Sequence, residues 1–250
     1  MARNRYIPVF AGMTIFLLFF AHPAFAQSVT LDLGKAGEGS AAGRLIELVI
    51  LMTVISLAPS ILIMTTSFLR IIIVLSFLRS ALGLQSTPPN QVLISLALFL
   101  TAFIMAPAFE QAWNDGVQPL MDDQITQEQA FDRIGDPFHV FMLKHVREKD
   151  LALFVSMSPG LKIDRPEETP YRVLVPAFMI SELKRAFEIG FLIFIPFVII
   201  DMLVASILMA MGMMMLPPVM ISLPFKLIFF VMVDGWYMLC GSLIKSFGTV

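Results

Sequence analysis

Four apolar segments, at about 45–69, 91–112, 186–216 and 219–244, constrain this chain more than any other feature. Each is long enough to cross a bilayer or to be buried on every side. Each also holds a proline in or near its interior: Pro59, Pro107, Pro196 and Pro224. Proline removes a backbone donor and clashes with the carbonyl one turn back, so every segment is expected to bend there. Such bends persist in an apolar medium when neighbouring groups satisfy the freed carbonyls. The pattern predicts an all-α fold built from kinked helical hairpins. Composition agrees, because 58% of the 250 residues are hydrophobic and only 14% charged. With a mean hydropathy of +0.84, the chain has too little polar surface for a soluble domain of its length, and an integral membrane class follows.

The first residues read as a separate unit. Arg3 and Arg5 precede the apolar run MTIFLLFF, and Ala24-Phe25-Ala26 has the small-x-small pattern of a cleavage site. A signal peptide over 1–26 is expected, cut between Ala26 and Gln27, so that the mature chain starts outside the cytoplasm. A polar tail (27–44) leads to the first apolar hairpin (45–112), a polar helical region on the external, periplasmic side (113–180), and a second apolar hairpin (181–250). In this topology the first segment runs inward and delivers Arg70 and Arg79 to a short connection at 70–90, which holds no acid. The two SFLR copies set these arginines nine residues apart, on opposite sides of a straight helix. They are expected to act as interface anchors, not as one charged stripe.

In the external region, TQEQ at 126–129 has capping-box spacing. Asp136 before Pro137 resembles a helix start, and Phe138, Phe141 and His145 could share a face. His139 and His145 lack a metal-ligand spacing and read as surface residues. The chain has no P-loop, no G-x-S-x-G and no dinucleotide fingerprint. With one cysteine, Cys240, it cannot form an internal disulfide or a cysteine metal site. Net charge is −2 with no basic run, so nucleic-acid binding has no support. No catalytic residue, metal site or cofactor is expected.

Charges inside the apolar segments are costly and face protein or water. Glu47, Glu110, Glu188 and Asp234 lie in or at the edges of segments, whereas Asp201 and Lys226 are flanked by large apolar residues. Counted from Pro217, Asp201 and Lys226 stand roughly 10 Å apart along a regular hairpin, too far to pair. Either the kinks shift this register or the partners lie on other subunits; the second is expected, since an unpaired buried charge costs several kcal/mol and assembly would remove that cost.

The second hairpin turns at MAMGMMMLPP. Met209, Met211, Met213, Met214 and Met215 surround Gly212, a hinge, and are followed by the helix-stopping pair Pro217-Pro218. Methionine is apolar, unbranched and polarisable, and adapts to irregular contacts. Repeated around a ring, these residues would make a soft, dry constriction that seals and then deforms around a passing chain.

Two long stretches, APSILIMTTSFLRIIIVLSFLRSALGLQSTPPNQVL and PAFMISELKRAFEIGFLIFIPFVIIDMLVASILMAMGMMMLPPVMISLPFKLIFFVMVDGW, resemble the signature regions of the FliP/SctR family of type III secretion export-gate subunits. The resemblance covers nearly all of 56–93 and 176–247, with one small departure at Ser86. It implies a structural subunit of a protein export gate, arranged as a pentamer with FliQ and FliR in a helical ring or cone. FlhA, FlhB and unfolded protein substrates are the further implied partners, besides membrane lipid. It also implies a methionine gasket at Met209, Met211 and Met213 to Met215, and inter-subunit polar contacts at Glu182, Asp201 and Lys226. The location implied is the inner membrane within the flagellar basal body, with much of the complex on the periplasmic side. The leader favours the flagellar over the injectisome branch. The rival reading is a stand-alone ion or solute transporter, which broken helices and intramembrane charges would suit.

Overall fold

The computed structural model describes residues 41–161, 163, 165–213 and 216–248, and among them every regular element is a helix. The expected signal peptide over 1–26, its expected Ala26–Gln27 cleavage point, and Met214 and Met215 lie outside the described residues. The chain divides into two units between Val54 and Ile55, inside α1 (Ala41–Met64), an apolar helix that contains Pro59. The packing described below belongs to the second unit.

Residues 70–90 do not form the connection that hydropathy predicts. After a buried break at Thr65, Thr66 and Ser67, helix α2 (Phe68–Ala81) is the most deeply buried element. Ile71, Val74, Leu75 and Leu78 recur at the spacing of one helical stripe and are all buried. Burying each of these side chains stabilises the fold by about 1.5–3 kcal/mol. Hydropathy merges this stripe with α1, because it registers burial without registering where a helix breaks. Helix α2 packs against α3 (Asn90–Ala112) and, most extensively, against α7 (Tyr171–Ala210). At the α2–α7 contact, Phe77 meets Phe187 and Phe194 edge to face and lies over Gly190. A Cβ on Gly190 would overlap the Phe77 ring, so the two helices approach this closely only because that position is glycine.

Helix α3 passes through a π-helical turn (Trp113–Val117) into α4 (Gln118–Met121). Helix α5 (Gln127–His145) opens with the expected capping box, in which Thr126 Oγ1 accepts from the Gln129 amide and Gln129 Oε1 accepts from the Thr126 amide. No helix begins at Asp136, because α5 runs through Pro137 without interruption. Helix α6 (Glu148–Ser156) is tied to α7 through Asp150, which accepts from the Ser181 hydroxyl (2.6 Å) and from Arg147 (2.8 Å). Burial pushes the Asp150 carboxyl up, yet the Ser181 hydroxyl and Arg147 together hold it below its ordinary value.

The third apolar segment is the later part of a longer element. Helix α7 has 40 residues, about 60 Å at 1.5 Å per residue and twice the hydrocarbon thickness of a bilayer. Its charged residues other than Asp201 all precede Ile189. After the turn come α8 (Pro218–Met232), with Pro224 inside it, and α9 (Gly235–Lys245). These two are bent by 62° at a break where Asp234 is left-handed, with φ of 50°. Aspartate tolerates that conformation better than most residues, so the sharp break falls there and not at Pro224. Among the described residues two stretches are long and apolar enough to cross a membrane, Asn90–Met121 and Tyr171–Ala210, and the bent α8–α9 pair makes a third if counted as one span.

Candidate functional site

The hairpin of α7 and α8 concentrates the features singled out in the sequence. Helix α7 ends at Ala210 with Met211 as its C-cap, and Gly212 follows with φ of +73°. The Met213 amide donates to the Leu208 carbonyl and the Gly212 amide to the Met209 carbonyl, both at 3.0 Å. This pair of bonds is a Schellman motif, which needs a left-handed residue at its centre; Gly212 supplies it without a Cβ penalty. Pro217 is the N-cap of α8 and Pro218 its first residue, where a missing amide costs nothing. Met209, Met211 and Met213 all remain exposed around this turn. The apolar arm behind them is also uncovered: only 11% of the most apolar window of α7 is buried. A groove of about 440 Å³ between the arms is lined by Ile200, Leu203, Ile207, Ile221, Phe225 and Phe229.

Asp201 and Lys226 are partners within the chain, contrary to the register argument. Lys226 Nζ donates to Asp201 Oδ2 at 2.6 Å and to the Ala81 carbonyl at 3.2 Å. The Ser222 hydroxyl donates to Asp201 Oδ1 at 2.5 Å. The correction comes from the turn. Helix α7 stops at Ala210 and α8 starts at Pro218. Asp201 is therefore 9 residues (210 − 201) before the end of one arm, and Lys226 is 8 (226 − 218) into the other. Counting from Pro217 had assigned the loop residues to α7 and pushed the charges out of register. Ser222, one turn before Lys226 on the same face, was not singled out in the sequence, although its i, i+4 spacing marks it.

Arg70 is not an interface anchor. Its side chain is 1% exposed, and it pairs with Glu182, itself 0% exposed, through two hydrogen bonds of 2.7 and 2.5 Å. Its Nη1 donates to the carbonyl (3.3 Å) and hydroxyl (2.9 Å) of Ser246, and its guanidinium stacks 3.7 Å from the centroid of Phe247. The planar five-donor fork of arginine is suited to serving this many partners at once. Arg79 instead ties the end of α2 to the following loop, donating to Asn90 Oδ1 at 2.5 Å. His145 is buried and not a surface residue, while His139 is half-buried with Nε2 2.7 Å from the Thr169 carbonyl. Ser246 and Phe247 drew no attention in the sequence, where nothing local marks them. No cluster of three or more metal-binding side chains of the His, Cys, Asp and Glu types occurs among the described residues.

A model of the FliP family matches residues 51–243. The chain belongs to the FliP family. Among its relatives, the flagellar biosynthetic protein FliP of Caulobacter vibrioides is 61% identical over 228 residues, covering 90% of this chain and 84% of the relative. That of Bacillus subtilis is 58% identical over 205 residues, covering 81% and 91%. That of Agrobacterium fabrum is 55% identical over 227 residues, covering 90% and 93%. FliP family membership and the long apolar helices together make this a membrane protein.

Proposed function

We propose that this chain is a structural, non-catalytic subunit of the flagellar type III export gate. Family membership supports a component of the flagellar export apparatus. In the finer reading, several copies in a pentameric arrangement combine with FliQ and FliR into a cone in the inner membrane of the basal body. Unfolded flagellar proteins pass through it, and FlhA and FlhB are further components of the same apparatus. The observation that carries this reading is a bare apolar hairpin with exposed methionines at its turn. Such a surface is stable only when lipid or other subunits cover it. Met209, Met211 and Met213, joined by Met214 and Met215, form the gasket, and Gly212 with Pro217 and Pro218 fixes the turn that presents them. Of the charges expected to meet neighbouring subunits, Asp201 keeps 30% of its side chain exposed, so it can reach a neighbour while bound to Lys226. Contacts of Glu182 and Lys226 with neighbours would come in addition to their pairs inside the chain.

Native mass measurement after mild detergent extraction tests the reading. A large complex containing several copies of this chain is expected. A monomer or dimer would overturn it and favour a stand-alone transporter.

A further inference from the structure

The two arms of the methionine hairpin meet in different ways on either side of one carboxylate. Away from the turn they pack ring to ring: Phe197 of α7 meets Phe229 and Phe230 of α8, with centroids 6.1 and 6.4 Å apart. Towards the turn they are separated by the groove that runs down to Leu208 and Ile221. Asp201 stands at the boundary. Its Oδ2 accepts from Lys226 and its Oδ1 from Ser222, which is 0% exposed. Among the described residues, no other side-chain hydrogen bond or ion pair joins α7 to α8. Lys226 is held from a second side, because its Nζ also donates to the carbonyl of Ala81, the last residue of α2. Ser222 has a choice instead. Its Oγ lies 2.5 Å from Asp201 and 3.1 Å from the carbonyl of Val219, in the first turn of α8. A hydroxyl carries one proton, so it donates to only one of these oxygens at a time.

We propose that Ser222 is a positioning residue of the methionine turn: its hydroxyl latches the turn-side halves of α7 and α8 when it donates to Asp201, and lets them part when it donates to Val219. This role rests on the reading of those methionines as a gasket, and it makes Ser222 the residue that sets where they stand. A bond to a carboxylate is about twice as strong as one between neutral groups, so the latched form prevails at rest. Parting the arms costs only the difference between two hydrogen bonds, since the buried hydroxyl is never left without an acceptor. Lys226 stays on Asp201 and on α2 throughout, and the phenylalanines keep the far halves packed. The motion is thereby confined to the residues between Asp201 and Ser222, which include the turn. The groove between these halves is lined by apolar side chains alone, so widening or closing it breaks no further polar contact. A passing chain could then displace the methionines without dismantling the hairpin that carries them.

Hydrogen–deuterium exchange of the full chain in its detergent complex tests the latch. Ser222→Ala removes one oxygen, adds no bulk and keeps the Lys226–Asp201 pair, so the variant should assemble. Exchange at residues 203–213 and 219–222 should rise by about tenfold or more, the loss of one hydrogen bond to a charged group. Residues 190–199 and 227–245 should keep the protection of the unaltered chain. Ser206→Ala is the control, because that hydroxyl donates to the Met202 carbonyl of its own helix; it should leave the profile unchanged. A serine with a merely structural role would loosen both halves of the hairpin together. An equal rise on both sides of Asp201, or no rise in Ser222→Ala, would overturn the latch, and so would a rise as large in Ser206→Ala. Where Ser222→Ala does not accumulate, Ser222→Cys decides. Its thiol is a weaker donor, so the same residues should lose protection, and an unaltered profile would overturn the latch equally. Exchange is read within each chain, so a negative result leaves the gate reading intact; failure of that reading shows instead as a monomer or dimer in the native mass.

Discussion

Two ion pairs that join separate helices of the second unit differ in how complete they are. Arg70–Glu182 is sealed on every side, with Ser246 and Phe247 taking the remaining faces of the guanidinium. Asp201–Lys226 has a buried cation but an acid that is 30% exposed, in an arm whose apolar surface is mostly bare. The difference teaches that the Arg70 site is satisfied by groups of this chain alone, whereas the arm around Asp201 keeps most of its apolar surface uncovered. Buried pairs are weak evidence for stability in themselves, because desolvation offsets attraction, yet breaking one is expensive. The two sites should therefore respond very differently to mutation.

The largest effect is expected at the sealed pair. Glu182→Ala strands a buried guanidinium, at a cost of about 3–5 kcal/mol. Thermal unfolding of the purified protein should show this loss, or the variant should not accumulate at all. Replacing both partners, Arg70→Met with Glu182→Leu, should recover much of the stability, since no lone charge is left. If the single variant is as stable as the unaltered chain, the contrast between the two sites disappears.

At the open pair, Asp201→Ala leaves Lys226 with only the Ala81 carbonyl among its described partners. Asp201 is only partly enclosed and Lys226 keeps the Ala81 carbonyl, so the cost is expected to be smaller, about 1–3 kcal/mol. Subunit assembly should suffer more than folding of the isolated chain. Comparing native mass with thermal unfolding separates the two, and a loss of folding as large as that of Glu182→Ala would erase the distinction.

How much of this was legible in the sequence follows the distance over which each feature acts. The Thr126–Gln129 box was readable because two residues three positions apart determine it. The turn at Gly212, Pro217 and Pro218 was readable for the same reason, although its length was not, and that error displaced Asp201 from Lys226. Arg70 and Glu182 are 112 residues apart, and no periodicity connects them. Helix α2 was concealed for another reason: hydropathy is the same whether lipid or α7 covers Ile71 and Leu75. The candidate methionines were visible as a cluster, while the stacking of Arg70 on Phe247 exists only in three dimensions.

Gly212→Ala probes the turn itself. Forcing an alanine to φ of +73° costs about 1–2 kcal/mol. The strain acts on seven residues between two helices, far from the Arg70 cluster in sequence, so the melting temperature should shift by less than for Asp201→Ala. Ion leak through the assembled complex should change more than stability does. An unchanged leak with a lowered melting temperature would show that the turn matters for folding alone.

The smallest stability effect and the most specific functional one belong to the methionines. Met209, Met211 and Met213 are exposed and absent from the buried clusters. Changing all three to alanine should alter the stability of the isolated chain by no more than about 0.5 kcal/mol, the usual range for surface substitutions. In the assembly the same change removes the soft thioethers proposed to close the constriction, so ion conductance should rise while export continues at least in part. Leucine at the same positions restores bulk and apolarity but adds a branch that limits adaptation. It should keep the seal and hinder passage of the chain. Equal, unaltered conductance in both variants would remove the gasket from the proposal and leave the bare hairpin as a packing surface only.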